Sequence, residues 1–235
     1  MEEKELTLEE FRDYKKKKKA EMIAMQQLPY DVKVKRAEQR AYEFINELDR
    51  RGLNAHVSVG GLDSIVLLMF LREIGINVPA VSVSSLEDKS IQKIHKELGV
   101  ITLTPGKSKV EVLNEIGFPV ISKKIAGRID TLQHPTKRNI TVRHAIITGE
   151  CGKQGHYAKN SRMKLPQKWL RLFGGYENEN EGVNYKIPNF LVSNKCCLVM
   201  KEKPCEQWAK DHNSKPFLGL MASEGGQREE ALTEH

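Results

Sequence analysis

Hydrophobic positions recur every three or four residues over the first fifty residues, and then the rhythm changes. Residues 31–50 carry Val34, Ala37, Ala41, Phe44, Ile45 and Leu48 at helical spacing. Arg51-Gly52 ends that pattern as a glycine C-cap would. Residues 7–27, "TLEEFRDYKKKKKAEMIAMQQ", read as a charged helix in which Thr7 and Glu10 are placed for a capping box. From Ala55 onward, short apolar segments alternate with longer amphipathic ones. Ala55–Val59 predicts a strand, Ser64–Ile74 a helix apolar nearly all round, and Val78–Ser84 a second strand. "EDKSIQKIHKELG" reads as an amphipathic helix closed by Gly99, and "VITLTP" as a third strand. Strand–helix–strand–helix–strand with short joins predicts an α/β fold built on a parallel sheet with right-handed crossovers.

Beyond Pro105 the pattern is less regular. "SKVEVLNEIG" predicts a short helix ahead of "FPVISKK", and "KIAGRIDTLQ" and "ITVRHAIITGE" predict two more. Cys151–Asn189 is rich in Gly, Asn and Lys and reads as a long irregular insert. "SNKCCLVMKEKPCEQWAKDH" reads as helical with a break at Pro204, and "SEGGQREEALTEH" as a polar helix. No domain boundary stands out after residue 50.

Composition narrows the class without choosing a function. The 235 residues are 39% hydrophobic and 29% charged, which suits a globular protein with a sizeable core. No apolar run approaches the roughly 20 residues that cross a membrane. The acidic start "MEEKELTLEEF" lacks the apolar stretch of a secretory signal, so a cytoplasmic location and no membrane partner are expected. The net charge of +7 favours an anionic partner such as a nucleotide, sulfate or nucleic acid. Lys15–Lys19 is the densest basic block, and Arg162, Lys164, Lys168 and Arg171 form another around Trp169. The first reads either as a solvated helix face or as a nucleic-acid contact, and the second as a solvated loop, a cover over the substrate or a nucleic-acid contact.

Chemistry concentrates at "HVSVGGLDSIVLL". A strand ending near Val59 delivers the chain to Gly60-Gly61, where the missing Cβ lets backbone approach a ligand closely. Asp63 and Ser64 then open a helix, whose unpaired N–H groups and dipole favour an anion. The site lies at the carboxyl end of a parallel strand, where open α/β sheets bind ligands. Neither the Walker pattern nor the dinucleotide fingerprint is present. An ordinary strand-to-helix turn with Asp63 as N-cap is the competing reading.

"VGGLDS" resembles the S-G-G-x-D-S loop of the PP-loop ATP pyrophosphatases and of the phosphoadenosine phosphosulfate (PAPS) reductase family. Three further segments are similar to that family and stand in its order. "EIGFPVISKK" resembles its G-[FY]-P-x-x-S-K segment, "FLVSNKCCLVMKEKP" its S-x-K-C-C-x-x-x-K-x-x-P segment, and "FLGLMASEGGQRE" its I-G-x-M-A-x-E-S-x-x-R segment. The resemblance implies a Rossmann-like, adenine nucleotide alpha hydrolase-like domain over residues 53–235, preceded by a helical extension over 1–52 and ending in a helical part. It implies that Ser58, Gly60, Gly61, Leu62, Asp63 and Ser64, with Lys195 and Arg228, hold the phosphate or sulfate of ATP or PAPS. The implied activity is sulfonucleotide reduction or ATP-dependent sulfur transfer, and the alternative is a binder of nucleotide or nucleic acid that has lost its chemistry. No catalytic residue is assigned.

Two positions depart from the family's pattern. Val59 stands where the family's loop has its first serine, and Gly225 replaces the serine after the matched acid Glu224. Ser58 does not simply replace the lost hydroxyl, because adjacent strand residues point to opposite faces.

The resemblance also implies that Cys196 and Cys197 belong to an iron–sulfur site, which takes four thiolates. Cys205 extends the set, but the C-x-x-C that completes it in relatives is absent. Cys151 has no supporting spacing; family members continue beyond the block that ends near His235, and the missing thiols would lie on such a segment. Packed free thiols, a partial cluster site, and zinc (with His212) or a redox thiol all remain open readings. His134, His144 and His156 read as surface or packing residues, and Trp169 and Trp208 as core anchors.

Overall fold

A computed structural model describes residues 7–150, 161–174, 177–178, 183–184 and 188–220. The chain is mixed α/β, with a four-stranded, all-parallel sheet flanked by helices. It divides into two compact units, one of Met1–Leu103 with Cys205–His235 and one of Thr104–Pro204.

The first unit opens with α1 (Leu8–Gln26) and α2 (Tyr30–Arg50). The expected capping box is present in α1: the Thr7 hydroxyl accepts from the Glu10 amide while the Glu10 carboxylate accepts from the Thr7 amide. Then come β1 (Asn54–Ser58), α3 (Leu62–Glu73), β2 (Ala80–Ser82), a 3-10 turn (Ser84–Leu86), α4 (Lys89–Glu97) and β3 (Ile101–Thr102). Ala55, His56 and Val57 are buried in succession, as in a strand covered on both faces. Val57, Val59, Ile65, Leu68 and Leu71 form the core with Ala41 of α2 and Ala80 of β2.

The sequence pattern missed one strand of this sheet. β6 (Ser214–Leu218), "SKPFL", pairs in parallel with β1 from Asn54↔Ser214 to Ser58↔Leu218, giving the order β3-β2-β1-β6. With Lys, Pro and a single large aromatic, it lacks the β-branched run of a buried strand. Its proline is tolerable because β6 is an edge strand.

The second unit holds α5 (Lys109–Ile116), α6 (Lys123–Gln133), α7 (Ile140–Thr148) and α8 (Gln167–Phe173). Ile129, Leu132, Ile146, Leu165, Leu170 and Val192 form its core. Within the expected irregular insert, β4 (Glu177–Asn178) and β5 (Val183–Asn184) make a short antiparallel pair. Pro204 does not break the helix where expected. A five-residue π-turn, Leu198–Glu202, leads into α9 (Lys203–Asp211), and the wider turn accommodates a residue that lacks the helical N–H. Among the described residues no helix is long and apolar enough to cross a membrane.

Candidate functional site

The glycine turn lies at the carboxyl end of β1. The Val59 amide still donates to Val81 O at 2.9 Å, and the Val59 side chain is buried in the core of the first unit. Position 59 therefore serves packing. Gly60 and Gly61 follow, and α3 begins at Leu62 with Gly61 as an N-cap that offers no side-chain hydrogen bond. The Ser64 hydroxyl fastens the turn by accepting from the Gly60 amide (2.8 Å) and donating to Gly61 O (2.9 Å). Leu62 and Asp63 are exposed, and Ser64 is buried. Ser58 is half-buried, its Oγ 3.4 Å from His56 Nε2.

Neither glycine of the turn has a positive φ. Among the described residues, a Cβ on Gly61 would meet no atom within 4 Å, and one on Gly60 only Glu87 Oε1 at 3.9 Å. The packing of the described residues makes no demand for glycine here. An incoming anion bound by backbone N–H groups would make that demand, because it needs open space over the turn.

A polar chain with buried His95 and Ser84 backs the turn. His95 Nε2 lies 3.1 Å from Gly60 O, and Nδ1 lies 2.9 Å from Ser84 Oγ. Nε2 faces a carbonyl and so donates; in the neutral ring Nδ1 then accepts the Ser84 hydroxyl proton. Thr102 Oγ1 in turn donates to Ser84 Oγ at 3.3 Å. The third strand is thus linked to the turn through two side chains.

Gly219, just beyond β6, closes the other side. A Cβ there would fall 2.8 Å from Ser64 Cα and 2.9 Å from Ser64 N. The "VGGLDS" and "FLGLMA" segments therefore meet through backbone contact in the first unit. Arg228, Glu224 and Gly225 of the last segment lie outside the described residues.

The other two segments meet in the second unit. Phe118 and Val192 form a parallel bridge, with Phe118 N donating to Leu191 O (2.8 Å) and Ser193 N donating to Phe118 O (3.0 Å). A Cβ on Gly117 would lie 2.7 Å from Leu191 backbone, and one on Gly127 would lie 2.9 Å from Asn194 Nδ2. Between them Ile121 holds φ +63, a conformation that costs a β-branched residue on the order of 1–3 kcal/mol. Lys195 Nζ pairs with Asp130 Oδ2 at 2.7 Å, and His134 Nδ1 lies 3.1 Å from Asp130 Oδ1. Asp130 is buried, so Lys195 is a cation oriented by a fixed carboxylate.

The thiols are poorly disposed as nucleophiles. Burial raises the Cys196 pKa, and the neighbouring Cys197 adds to the shift, while Lys123 opposes it. Burial, with Glu206 nearby, also raises Cys205. Cys151 lies outside the described residues, and among the described ones no group of three or more His, Cys, Asp or Glu is placed to hold a metal ion. The described donor set therefore falls short of a four-thiolate cluster, and no chemical step is derived through one.

The remaining candidates have ordinary surroundings. Trp208 packs edge-on to buried His56 (5.1 Å) and stacks on His212 (4.0 Å), while Trp169 sits 6.2 Å from Phe173 with Lys168 Nζ over its ring at 4.5 Å. Arg162, Lys164, Lys168 and Arg171 are exposed, His144 Nε2 lies 3.2 Å from Glu150, and His156 lies outside the described residues. A cavity of about 500 Å³, lined by Asn54, Pro79, Trp208, His212 and Ser214 among others, opens at the amino ends of the strands. That is the end opposite the glycine turn, so it is not part of the candidate site.

His95, Asp130 and Gly219 were missed as site residues. The first two sit near the ends of helices without a motif, and only the glycine within "FLGLMA" offered a signal. No protein-family model matches this chain, and comparisons with curated proteins and with solved structures return no match.

Proposed function

We propose that the Gly60–Ser64 turn binds the phosphate or sulfate groups of an adenine nucleotide, ATP or PAPS, in a Rossmann-like, adenine nucleotide alpha hydrolase-like unit. The observation that carries this reading is the unexplained pair of glycines. They stand at the carboxyl end of a central parallel strand and at a helix N-terminus, with no atom of the described residues within 4 Å of a Cβ on Gly61. The resemblance of four segments to the PAPS reductase family supplies the nucleotide class. The contact of those segments in two pairs, one in each unit, supports it.

The activity proposed with this binding is sulfonucleotide reduction or ATP-dependent sulfur transfer. In the first, a thiolate attacks the sulfate sulfur and adenosine 3′,5′-bisphosphate leaves; a second thiol, from a dithiol reductant, then forms a disulfide with the first and releases sulfite. In the second, an acceptor oxygen attacks the α-phosphate of ATP and pyrophosphate leaves. Within the second unit Lys195 is a cation held in place by Asp130, the kind of group that pairs with an anion.

A second reading, binding without turnover, is favoured by a specific observation. Burial holds the Cys196 and Cys205 thiols in their protonated form, and Val59 gives the loop no hydroxyl. Titration calorimetry with ATP and with PAPS tests the binding, using Gly61→Val as the blocked loop. Binding to the wild type that vanishes in Gly61→Val supports the proposal; no heat with either nucleotide sinks it. Pyrophosphate and sulfite release by the wild type then distinguish the enzyme from the binder.

A further inference from the structure

The basic charge of this protein is not spread over its surface. Between residues 15 and 40, nine lysines and arginines stand against three acids, so this segment carries six of the chain's seven net positive charges. It maps onto the C-terminal part of α1, the turn after it and the first half of α2. The second half of α2 is anchored by buried Ala41 and Leu48, by Phe44 edge-on to Phe217 (4.7 Å), and by the Tyr42 hydroxyl donating to Ile74 O. The first half presents its cations to solvent.

The two helices enclose a cleft of about 310 Å³. Met22 and Met25 of α1 line one side, and Lys33, Arg36 and Arg40 of α2 the other. Positions 33, 36 and 40 share one helical face. Among the described residues no carboxylate lines the cleft. Its cations have only weak neutral partners there: Arg36 Nη2 on Met25 Sδ at 3.3 Å and Lys33 Nζ on Gln26 O at 3.4 Å. An anion entering the cleft would displace no ion pair among the described residues.

Charge alone would suit any polyanion, but two aromatic rings narrow the choice. Tyr30, the first residue of α2, is 79% exposed beside the cleft's connecting turn, and Tyr14 on α1 is 42% exposed. Lys18 Nζ lies 5.8 Å from the Tyr14 ring centroid. Exposed rings interleaved with cations form a surface that stacks nucleobases while tracking phosphates. A membrane surface fits less well. Lys16–Lys19 step around α1 at roughly 100° each and so do not leave one basic face opposite one apolar face.

We propose that the α1–α2 arm binds single-stranded nucleic acid, with Lys16, Lys17, Lys33, Arg36 and Arg40 on phosphates and Tyr30 stacking a base. This role is separate from nucleotide binding at the glycine turn and does not depend on it.

The test is fluorescence anisotropy of the full chain with a labelled oligothymidylate of about 20 nucleotides, titrated across salt concentrations, with a matched duplex and poly-glutamate as competitors. The logarithm of affinity is expected to fall with the logarithm of salt by about 0.7 per phosphate contacted. The double variant Arg36→Gln/Arg40→Gln should lower that slope by about 1.4. Tyr30→Ala should weaken binding roughly five-fold or more without changing the slope. Lys16→Gln/Lys17→Gln provides the same slope test away from α2. All these side chains are solvent-facing, and circular dichroism confirms that each variant is folded. Salt-independent or absent binding overturns the proposal. So does equal competition by poly-glutamate, or duplex binding as tight as single-strand binding with no effect of Tyr30→Ala.

Discussion

Gly219 stands against Ser64 so closely that a single methyl group on it would lie 2.8 Å from the serine Cα. The end of the last strand thus sets the position of the first turn of α3, and with it the candidate anion site. Gly219→Ala is expected to lower stability by about 1–3 kcal/mol, because the contact is with backbone that cannot rotate away. Gly61→Ala should change stability by less than about 1 kcal/mol, since its Cβ meets open space. Urea unfolding of both variants checks the contrast, and equal losses would contradict the geometry.

Restoring the hydroxyl that the family resemblance leads one to expect should not restore chemistry. Val59 is packed among Val57, Ile65 and Leu68, so Val59→Ser places an oxygen in apolar surroundings. The expected result is a loss of about 1–3 kcal/mol with no gain in pyrophosphate release. Denaturation midpoints and a pyrophosphate assay report the two parts separately. A gain in turnover would show that the hydroxyl reaches the ligand.

Acid should destabilise the first unit through His56. Burial lowers its pKa in the folded state, and His212 nearby lowers it further. The unfolded chain therefore binds the proton more readily than the folded one. Stability is fully present above the unfolded value near 6.5 and falls as pH drops below it. Unfolding free energies measured from pH 5 to 8 should show this slope, and His56→Gln should flatten it. A slope unchanged in the variant would assign the effect elsewhere.

Alkylation should be slow at Cys196 and Cys205. Burial raises both thiols, so near neutral pH each is largely protonated and the reactive thiolate is scarce. Peptide-resolved mass spectrometry after timed iodoacetamide treatment is expected to show slower labelling than a free thiol at pH 7, accelerating at higher pH. Lys123→Gln should slow Cys196 further, because that cation favours its thiolate. Fast labelling of Cys196 at pH 7 would argue instead for an activated nucleophile.

The sequence revealed the elements whose side chains pattern themselves. The helix of residues 31–50, the strand at 55–59 and the apolar helix after the glycine turn all follow from local periodicity, and the structure begins that last helix at Leu62. β6 escaped because its place depends on its neighbour: "SKPFL" is a strand through pairing with β1, not through composition. The same holds for the site. Gly60 to Ser64 could be singled out from residue types at fixed spacing. The support from His95, whose ring reaches Gly60 O from α4, arises from tertiary packing that no local spacing encodes. Lys195 was visible as a basic position, but its partner Asp130 was not, because one acid in a helix carries no motif.

The strand order β3-β2-β1-β6 also has a consequence for synthesis on the ribosome. One edge of β1 is covered by β2, made only some 20 residues later, but the other must wait for β6, roughly 160 residues further along. During that interval the whole Thr104–Pro204 unit is made, while the β1 edge offers its backbone groups to any passing strand. A ribosome stalled before residue 214 would hold a nascent chain with its glycine turn already made and its sheet still open on that side.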